Sequence, residues 1–445
     1  MPVETEQGNW EALYEKARRA KPLDGCRALL GYNTVLDRVV RVDAALLSKL
    51  PKPSSSRRPR RVANIQDFAD ALAFSIRSNV AVEVVCEPRA FAEISQLGNH
   101  KEQIGGQTAI VANLLSKFRK TAVVVHADRF DRHAAALYNG TNALVAIPSN
   151  EGLQFVPAKE FAGGVTPEAH YIFEYGVGTS FASGKAGRSN RMIACPTTPI
   201  VFQKGWEDVL PEVASVVDLA FLAGLNHMGD DYEAAFDHVA EHIRLLRSGN
   251  PDITIHLELT STQELRKLER ILDIVVRRVD SVGLNEAELL DVMDCLGHRP
   301  ERGPLGQVEG MLALMGLGPR RIHLHTMGYY LCKMRGPEEP SRDGMLYGAL
   351  VGAAAAWKGG IPGPRDIAAG AKVPVSRRGI DLLKAFERVW LQEDSDELAT
   401  RGFLDGFGLA AVPTKVVSRP KGTVGLGDMI SGSSLVAELA FRKAH

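Results

Sequence analysis

The sequence predicts an α/β protein: a largely parallel sheet covered by helices, with a smaller part assembled from discontinuous segments of the first half. Three observations predict it. From Val216 onward, short apolar runs alternate with stretches of helical periodicity. Ser248-Gly249-Asn250-Pro251 supplies strong stop chemistry between two of them. Near the C-terminus a glycine turn, Gly425-Leu426-Gly427-Asp428, opens an apolar stretch with helical spacing from Met429 to Phe441.

Taken in order, Val216 to Leu222 reads as the first strand of the regular half and Asp230 to Arg247 as an amphipathic helix. Ile253 to Leu259 follows as a strand, Gln263 to Val276 as a helix, Ser281 to Leu284 as a strand, Glu286 to Leu296 as a helix and Arg321 to Thr326 as a strand. In such a core, ligands sit beyond the carboxyl ends of the strands. The first half is less regular. Val80 to Cys86 and His170 to Tyr175 read as strands, with Gly105-Gly106 and Gly163-Gly164 as flexible joints. A lid of discontinuous segments and a continuation of the same sheet both fit that pattern.

With 445 residues, 45% hydrophobic and 24% charged, the chain is long enough to bury a large core beside a smaller domain, and disorder is excluded. The 53 basic and 53 acidic side chains cancel, so no global field recruits nucleic acid or an anionic membrane, and the expected partners are small molecules. The Pro51 to Arg61 run is basic but has no aromatic residue for bases to stack on, so it reads as a solvated loop. Five scattered cysteines without a CxxC pair fit a reducing cytoplasm. Met1 to Glu6 has no basic start or apolar run, and the longest apolar stretch, Gly348 to Trp357, falls short of the roughly 20 residues a bilayer requires. Neither secretion nor membrane insertion is expected.

A glycine turn opening a helix presents backbone N–H groups without Cβ obstruction and adds the positive end of the helix dipole, which favours phosphate. Asp428 on its own reads equally as a helix cap. Acidic groups close two neighbouring strands of the predicted sheet, Glu258 in His256-Leu257-Glu258 and Glu288 in Asn285-Glu286-Ala287-Glu288. Such hard oxygen ligands suit magnesium bridged to phosphate. Each has an ordinary alternative, a lysine partner for Glu258 and first-turn placement for Glu288. Arg191, in Arg188-Ser189-Asn190-Arg191, can fork onto phosphate oxygens or stand exposed. His323 and His325 alternate along one strand and read as packed histidines, since no cysteine or HExxH spacing accompanies them.

Several motifs fall in a characteristic order: Gly31-Tyr32-Asn33-Thr34-Val35-Leu36-Asp37, Gly105-Gly106-Gln107, His170-Tyr171-Ile172-Phe173-Glu174, Asn190-Arg191-Met192-Ile193, the HxE and NxxE sets, His323 to Tyr330 and the terminal GLGD. Together, over roughly Gly31 to Ser434, they resemble the ADP-dependent glucokinase and phosphofructokinase family of ribokinase-like sugar kinases. The resemblance implies a ribokinase-like three-layer α/β core (1–30, 105–155 and 197–445) and a smaller discontinuous lid (31–104 and 156–196). It implies transfer of the β-phosphate of ADP, with Mg2+, to a hydroxyl of a hexose or hexose phosphate (glucose and/or fructose 6-phosphate), leaving AMP.

Carried over by motif, Asp428 is the general base, and the amides of Gly425, Gly427 and Asp428 form the anion hole. Glu258 and Glu288, with Asp428, fall on the magnesium side, Arg191 on the nucleotide phosphate, and Val416 and Val417 beside adenine. Asn33, Asp37, Gly105, Gly106, Gln107 and His170 fall on the acceptor side. Glu83 stands where glucose-using members carry a glutamate, while its own strand pattern also allows a solvent-facing residue. Val35 departs from an asparagine of the family pattern and Met429 from a threonine; the first bears on the acceptor. An ATP-using ribokinase-like kinase of another small alcohol or nucleoside, and a non-catalytic sugar- or nucleotide-binding regulator, are the competing readings.

Overall fold

Four of the apolar runs read from the second half, Leu219–Leu222, Thr254–Glu258, Ser281–Asn285 and Arg321–His325, lie side by side and parallel in the computed structural model. The model describes residues 3–55, 61–126, 129–138, 142–149, 152–161, 165–196, 199–200, 202–229, 231–262, 264–299, 303–392 and 397–444. Among the described residues the runs belong to an 11-stranded sheet. Arg27–Gly31, Ala122–Val125 and Ala143–Ser149 extend its parallel part past Leu219–Leu222. Gly152–Pro157 closes one edge antiparallel; Tyr329–Met334, Leu409–Pro413 and Phe403–Leu404 close the other.

Successive strand side chains point to opposite faces, and here both faces are apolar. Leu30, Val125 and Phe221 pack toward the helices Val3–Ala20, Gln107–Leu115, Glu339–Lys358 and Leu426–Ala444. Leu29, Val124, Ala220, Ile255, Val282 and Ile322 pack toward Trp206–Val216, Tyr232–Gly249, Glu286–Cys295 and Pro304–Gly316 on the other side. The result is the three-layer α/β core the sequence predicts. Among the described residues, no helix is long and apolar enough to cross a membrane.

The remaining strands form a second, 6-stranded sheet in the order Arg61–Val62, Val82–Cys86, Asn190–Cys195, Ala169–Tyr175, Val35–Arg41, His100–Gly105. Its apolar core, with Val84, Phe173, Tyr175 and Met192, packs under the helix Ile65–Ser78 and includes Phe68, Leu72 and Ile76. The chain leaves the large sheet after Gly31 and returns through Gly105-Gly106 into the helix Gln107–Leu115. It leaves again after Pro157 and returns after Cys195.

Three boundaries differ from the sequence expectation. Val216 ends the helix Trp206–Val216, so the strand begins only at Leu219. The Gln263 to Val276 helix is a short α-helix, Leu265–Arg270, continued by a wider turn over Ile271–Val275 and a tighter one over Val276–Arg278. Its hydrophobic side stays buried throughout, which is why periodicity alone misses the change of winding. Val80 lies outside the strand Val82–Cys86 and is exposed. Gly163 and Gly164, Asp230, Gln263 and part of the basic run (56–60) lie outside the described residues.

The terminal helix Leu426–Ala444 crosses Glu339–Lys358 at a row of glycines. Cβ atoms added at Gly344, Gly348 and Gly352 would meet Glu438, Ser434 and Ile430. At Gly348 an added methyl overlaps Ser434 Oγ and reaches the Ile430 carbonyl at 2.8 Å. Alanine gains about 1 kcal/mol of helix propensity over glycine, but overpacking a tight contact costs about 1–3 kcal/mol. Gly348→Ala is therefore expected to lower the urea midpoint at unchanged m value. A midpoint at or above that of the unsubstituted protein would show that the helices can part without loss.

Candidate active site

The glycine turn before the terminal helix is held from the second sheet. Thr423 donates to Glu174 Oε1 through its backbone N (2.8 Å) and its hydroxyl (3.0 Å). Arg191, opposite Glu174 in the antiparallel ladder, donates through Nη1 to the Thr423 carbonyl at 3.1 Å. Both polar groups of that peptide segment are thus fixed by one pair of strands. Gly425 has φ of 67°, and a Cβ there would reach Ile110 at 2.8 Å. At Gly427 a Cβ would reach His325 Nε2 at 2.9 Å. Met429 N then donates to the Gly425 carbonyl at 3.0 Å, closing the first helical turn.

Asp428 is half-buried in that turn. Burial raises its pKa, while a hydrogen bond from the Gln107 side chain, the Arg191 charge and a backbone N–H restrain the rise. Gln107 also ties two strand ends together: its Oε1 accepts from Gly224 N at 3.2 Å and its Nε2 donates to the Leu259 carbonyl at 3.5 Å. The two readings of Asp428, cap and site carboxylate, are compatible in this geometry.

Asp37 is 3% exposed and lies against Gly105, where any Cβ would overlap its carboxyl group. Burial, then repulsion from Asp428 and Glu83, pushes its pKa up to about 8, against the attraction of Arg191. Gly106, with φ of 84°, fits against the Asn33 carbonyl. Thr108 Oγ1 donates to that carbonyl at 2.8 Å and Thr108 N to Asn33 Oδ1 at 3.3 Å, so Asn33 anchors the start of the helix Gln107–Leu115.

Glu83 faces inward. Asn226 Nδ2 donates to its Oε1 at 3.3 Å and His227 Nε2 lies 3.4 Å away. Thr260 Oγ1 in turn donates to Asn226 Oδ1 at 3.0 Å. His170 stacks against His227 at 5.4 Å, and burial with that neighbour lowers its pKa to about 3, leaving the ring neutral.

On the opposite side, Glu258 is 3% exposed and takes no lysine partner among the described residues. Ser431 Oγ donates to its Oε2 at 2.5 Å, and His256 Nε2 lies 3.1 Å from the same oxygen. Burial raises its pKa well above the carboxylate range, with repulsion from Asp428 and Glu288 adding to the rise. Glu288 is raised to about 8, again by burial first. Its Oε2 accepts from Asn285 N at 2.8 Å while Asn285 Oδ1 accepts from Glu288 N at 3.1 Å, a capping box at the start of Glu286–Cys295. The first-turn reading of Glu288 therefore holds without excluding a site role.

Asp37, Glu83, Glu258, Glu288, Arg191 and Gln107 thus each interact electrostatically or by hydrogen bond with Asp428. Val416, 39% exposed, and Val417, half-buried, lie on the connection after Leu409–Pro413 and are not part of this group. Met429 is buried in the core, so its replacement of threonine affects packing. Val35 opens a strand of the second sheet with its side chain buried. No motif in the sequence gives Glu174, Ser431, Asn226 or His227 a role of its own. Only Glu174 carried a signal: it lies four residues after His170 in one strand and so shares its face.

A family model described as the ADP-specific phosphofructokinase/glucokinase conserved region matches residues 26–437. An ADP-dependent glucose/glucosamine kinase of Pyrococcus furiosus is 32% identical, with 97% of this chain and 99% of the relative covered. An ADP-specific phosphofructokinase of Methanosarcina acetivorans is 29% identical, with 98% and 97% covered. Among solved structures, an ADP-dependent kinase in complex with fructose 6-phosphate and ADPβS is similar at a TM-score of 0.87 and 26% identity, with both chains covered over 100%.

The raised Asp37 carboxyl has a consequence for stability. An unfolded aspartate titrates near 3.9 and the folded one near 8, so between these values the folded state binds the extra proton and stability falls as pH rises. Asp37→Asn removes that contribution. The melting temperature of the unsubstituted protein is expected to fall more steeply between pH 5 and pH 8 than that of the variant; equal slopes would show that Asp37 is not the group responsible.

Proposed function

The chain belongs to the ADP-specific phosphofructokinase/glucokinase family, and on that premise we propose that it transfers the β-phosphate of ADP to a hydroxyl of a hexose or hexose phosphate, giving AMP. The observation that carries the reading is the placement of Asp428 in the first turn of a helix opened by two obligatory glycines, with Arg191 beside it. Amides of Gly425, Gly427 and Asp428 and the helix dipole stabilise a phosphoryl group there. Arg191 Nη1 holds the Thr423 carbonyl, and its buried Nε has no partner among the described residues, leaving a donor for a phosphate oxygen.

In the transfer, the acceptor oxygen attacks the β-phosphorus, the bond from that phosphorus to the bridging oxygen breaks, and AMP leaves. The acceptor proton passes to Asp428. A carboxyl raised by burial is a better base than a free one, since its pKa lies closer to the working pH. Asp37, Glu83 and His170 line the acceptor side with two acids and a neutral histidine. Carboxylates accept hydrogen bonds from sugar hydroxyls and repel a second phosphate, so Glu83 favours free glucose over fructose 6-phosphate. The segments 31–104 and 156–196 act as the lid; the Glu174 and Arg191 contacts to Thr423 are the contacts through which closure and the phosphate turn are linked. Closure excludes water that would otherwise accept the phosphoryl group.

Glu258, Glu288 and Asp428 fit a Mg2+ ion in chemistry, because all three are oxygen donors whose mutual repulsion a cation relieves. Among the described residues no group of three His, Cys, Asp or Glu can hold an ion alone. Glu258, Glu288 and Asp428 would hold the ion only together with the nucleotide, and it would supply neutralisation of phosphate charge.

Asp428→Asn is expected to fold as the unsubstituted chain does and to lose about 10²–10⁴-fold in kcat, followed as AMP formed from ADP over a panel of hexoses and hexose phosphates. Unchanged turnover with every acceptor would remove Asp428 as the base.

A further inference from the structure

Behind Glu258 lies a buried polar chain that the transfer reaction does not use directly. His256, Ser281 and Arg321 are lateral neighbours on three parallel strands, paired His256 to Ser281 and Ser281 to Arg321. All three side chains are buried. Arg321 Nη1 donates to Ser281 Oγ at 3.0 Å, Ser281 Oγ lies 2.9 Å from His256 Nδ1, and His256 Nε2 lies 3.1 Å from Glu258 Oε2.

The directions follow from the end group. A guanidinium can only donate, so it occupies a lone pair of Ser281 Oγ, and the serine proton has His256 Nδ1 as its acceptor. His256 then carries its proton on Nε2 and donates to the carboxylate, as second-sphere partners orient the groups they support.

The other end of the chain returns to the same helix that carries Asp428. Arg321 Nε donates to Glu438 Oε2 at 2.8 Å, and Arg442 Nη2 donates to Glu438 Oε1 at 2.7 Å. Ser431, seven residues before Glu438 on that helix, donates to Glu258. Glu258, His256, Ser281, Arg321, Glu438 and the helix segment back to Ser431 therefore form a closed ring. Gly283 lies inside it: a Cβ there would overlap Glu258 Oε2 and stand 2.5 Å from Ser431 Oγ.

We propose that Ser281 and Arg321 are positioning residues that act through His256 to fix the orientation of Glu258 and through Glu438 to fix the axial register of the helix bearing Asp428. This rests on the reading of Glu258 as a group on the metal side of the site. Ser281→Ala breaks the ring with a small loss of volume, and Ser281→Thr restores the hydroxyl. Second-sphere losses typically weaken metal affinity 10–100-fold.

The test titrates Mn2+ into protein with ADP and no sugar, following free Mn2+ by its electron paramagnetic signal, beside steady-state kinetics and melting curves. Ser281→Ala is expected to weaken Mn2+ binding and raise the half-saturating Mg2+ about tenfold, with the KM for sugar within about twofold and Ser281→Thr recovering the binding. Loss of melting temperature with proportional decline of every kinetic constant, or no recovery in Ser281→Thr, would overturn the proposal in favour of a merely structural network. Glu258→Gln separates the two readings. If it weakens Mn2+ binding while Ser281→Ala does not, the relay fails and the metal reading stands; if neither weakens it, the metal reading fails and the proposal with it.

Discussion

Bringing the buried acids Asp37, Glu258 and Glu288 around Asp428 is the constraint on which the arrangement turns. Burial is the largest cause raising each of the four, and repulsion from neighbouring acids adds to it. No buried carboxyl is stable there without donors. Gln107 donates to Asp428 and the Arg191 charge attracts it, Ser431 and His256 supply Glu258, and the Asn285 amide supplies Glu288. These partners come from both sheets and from two helices, so the site cannot be assembled by one element alone. On the proposed function, a phosphoryl group with its counter-cation would exploit the same tension, since positive charge would relieve the repulsion and the glycine turn would receive the anion.

Close approach is the second requirement, and glycine meets it where a side chain would block it. Gly425 and Gly427 let the turn settle onto Ile110 and His325, and Gly105 lets Asp37 lie on the backbone. Gly344, Gly348 and Gly352 let the terminal helix approach Glu339–Lys358 closely enough to hold its register. The chemistry at one end of that helix and the packing along its length are thus parts of one placement.

Much of this was legible in the sequence because it is local. Ser281 to Leu284 is a short run with a clear end and Arg321 to Thr326 alternates Ile322 and Leu324 with polar side chains, and they correspond to the strands Ser281–Asn285 and Arg321–His325. The turn before Asp428 and the Asn285 to Glu288 spacing were visible as helix starts for the same reason. Val216 was misread as strand because a helix ends directly before the strand begins, and an apolar residue serves both. What local patterns do not carry is pairing at long range. Glu258 finds Ser431 on an element 173 residues away, and Glu174 finds Thr423 at a separation of 249. The family motifs pointed to Glu258 but not to the serine that holds it, and Asn33, which its motif puts on the acceptor side, also anchors a helix.

On the proposed function, this site moves the terminal phosphoryl group of a nucleoside diphosphate onto a sugar. ADP labelled with 32P in the β position, incubated with Mg2+ and glucose or fructose 6-phosphate, tests it most directly. The label is expected in the sugar phosphate, with AMP formed in equal amount. Label released only as inorganic phosphate, or sugar phosphate formed from ATP and never from ADP, would contradict it.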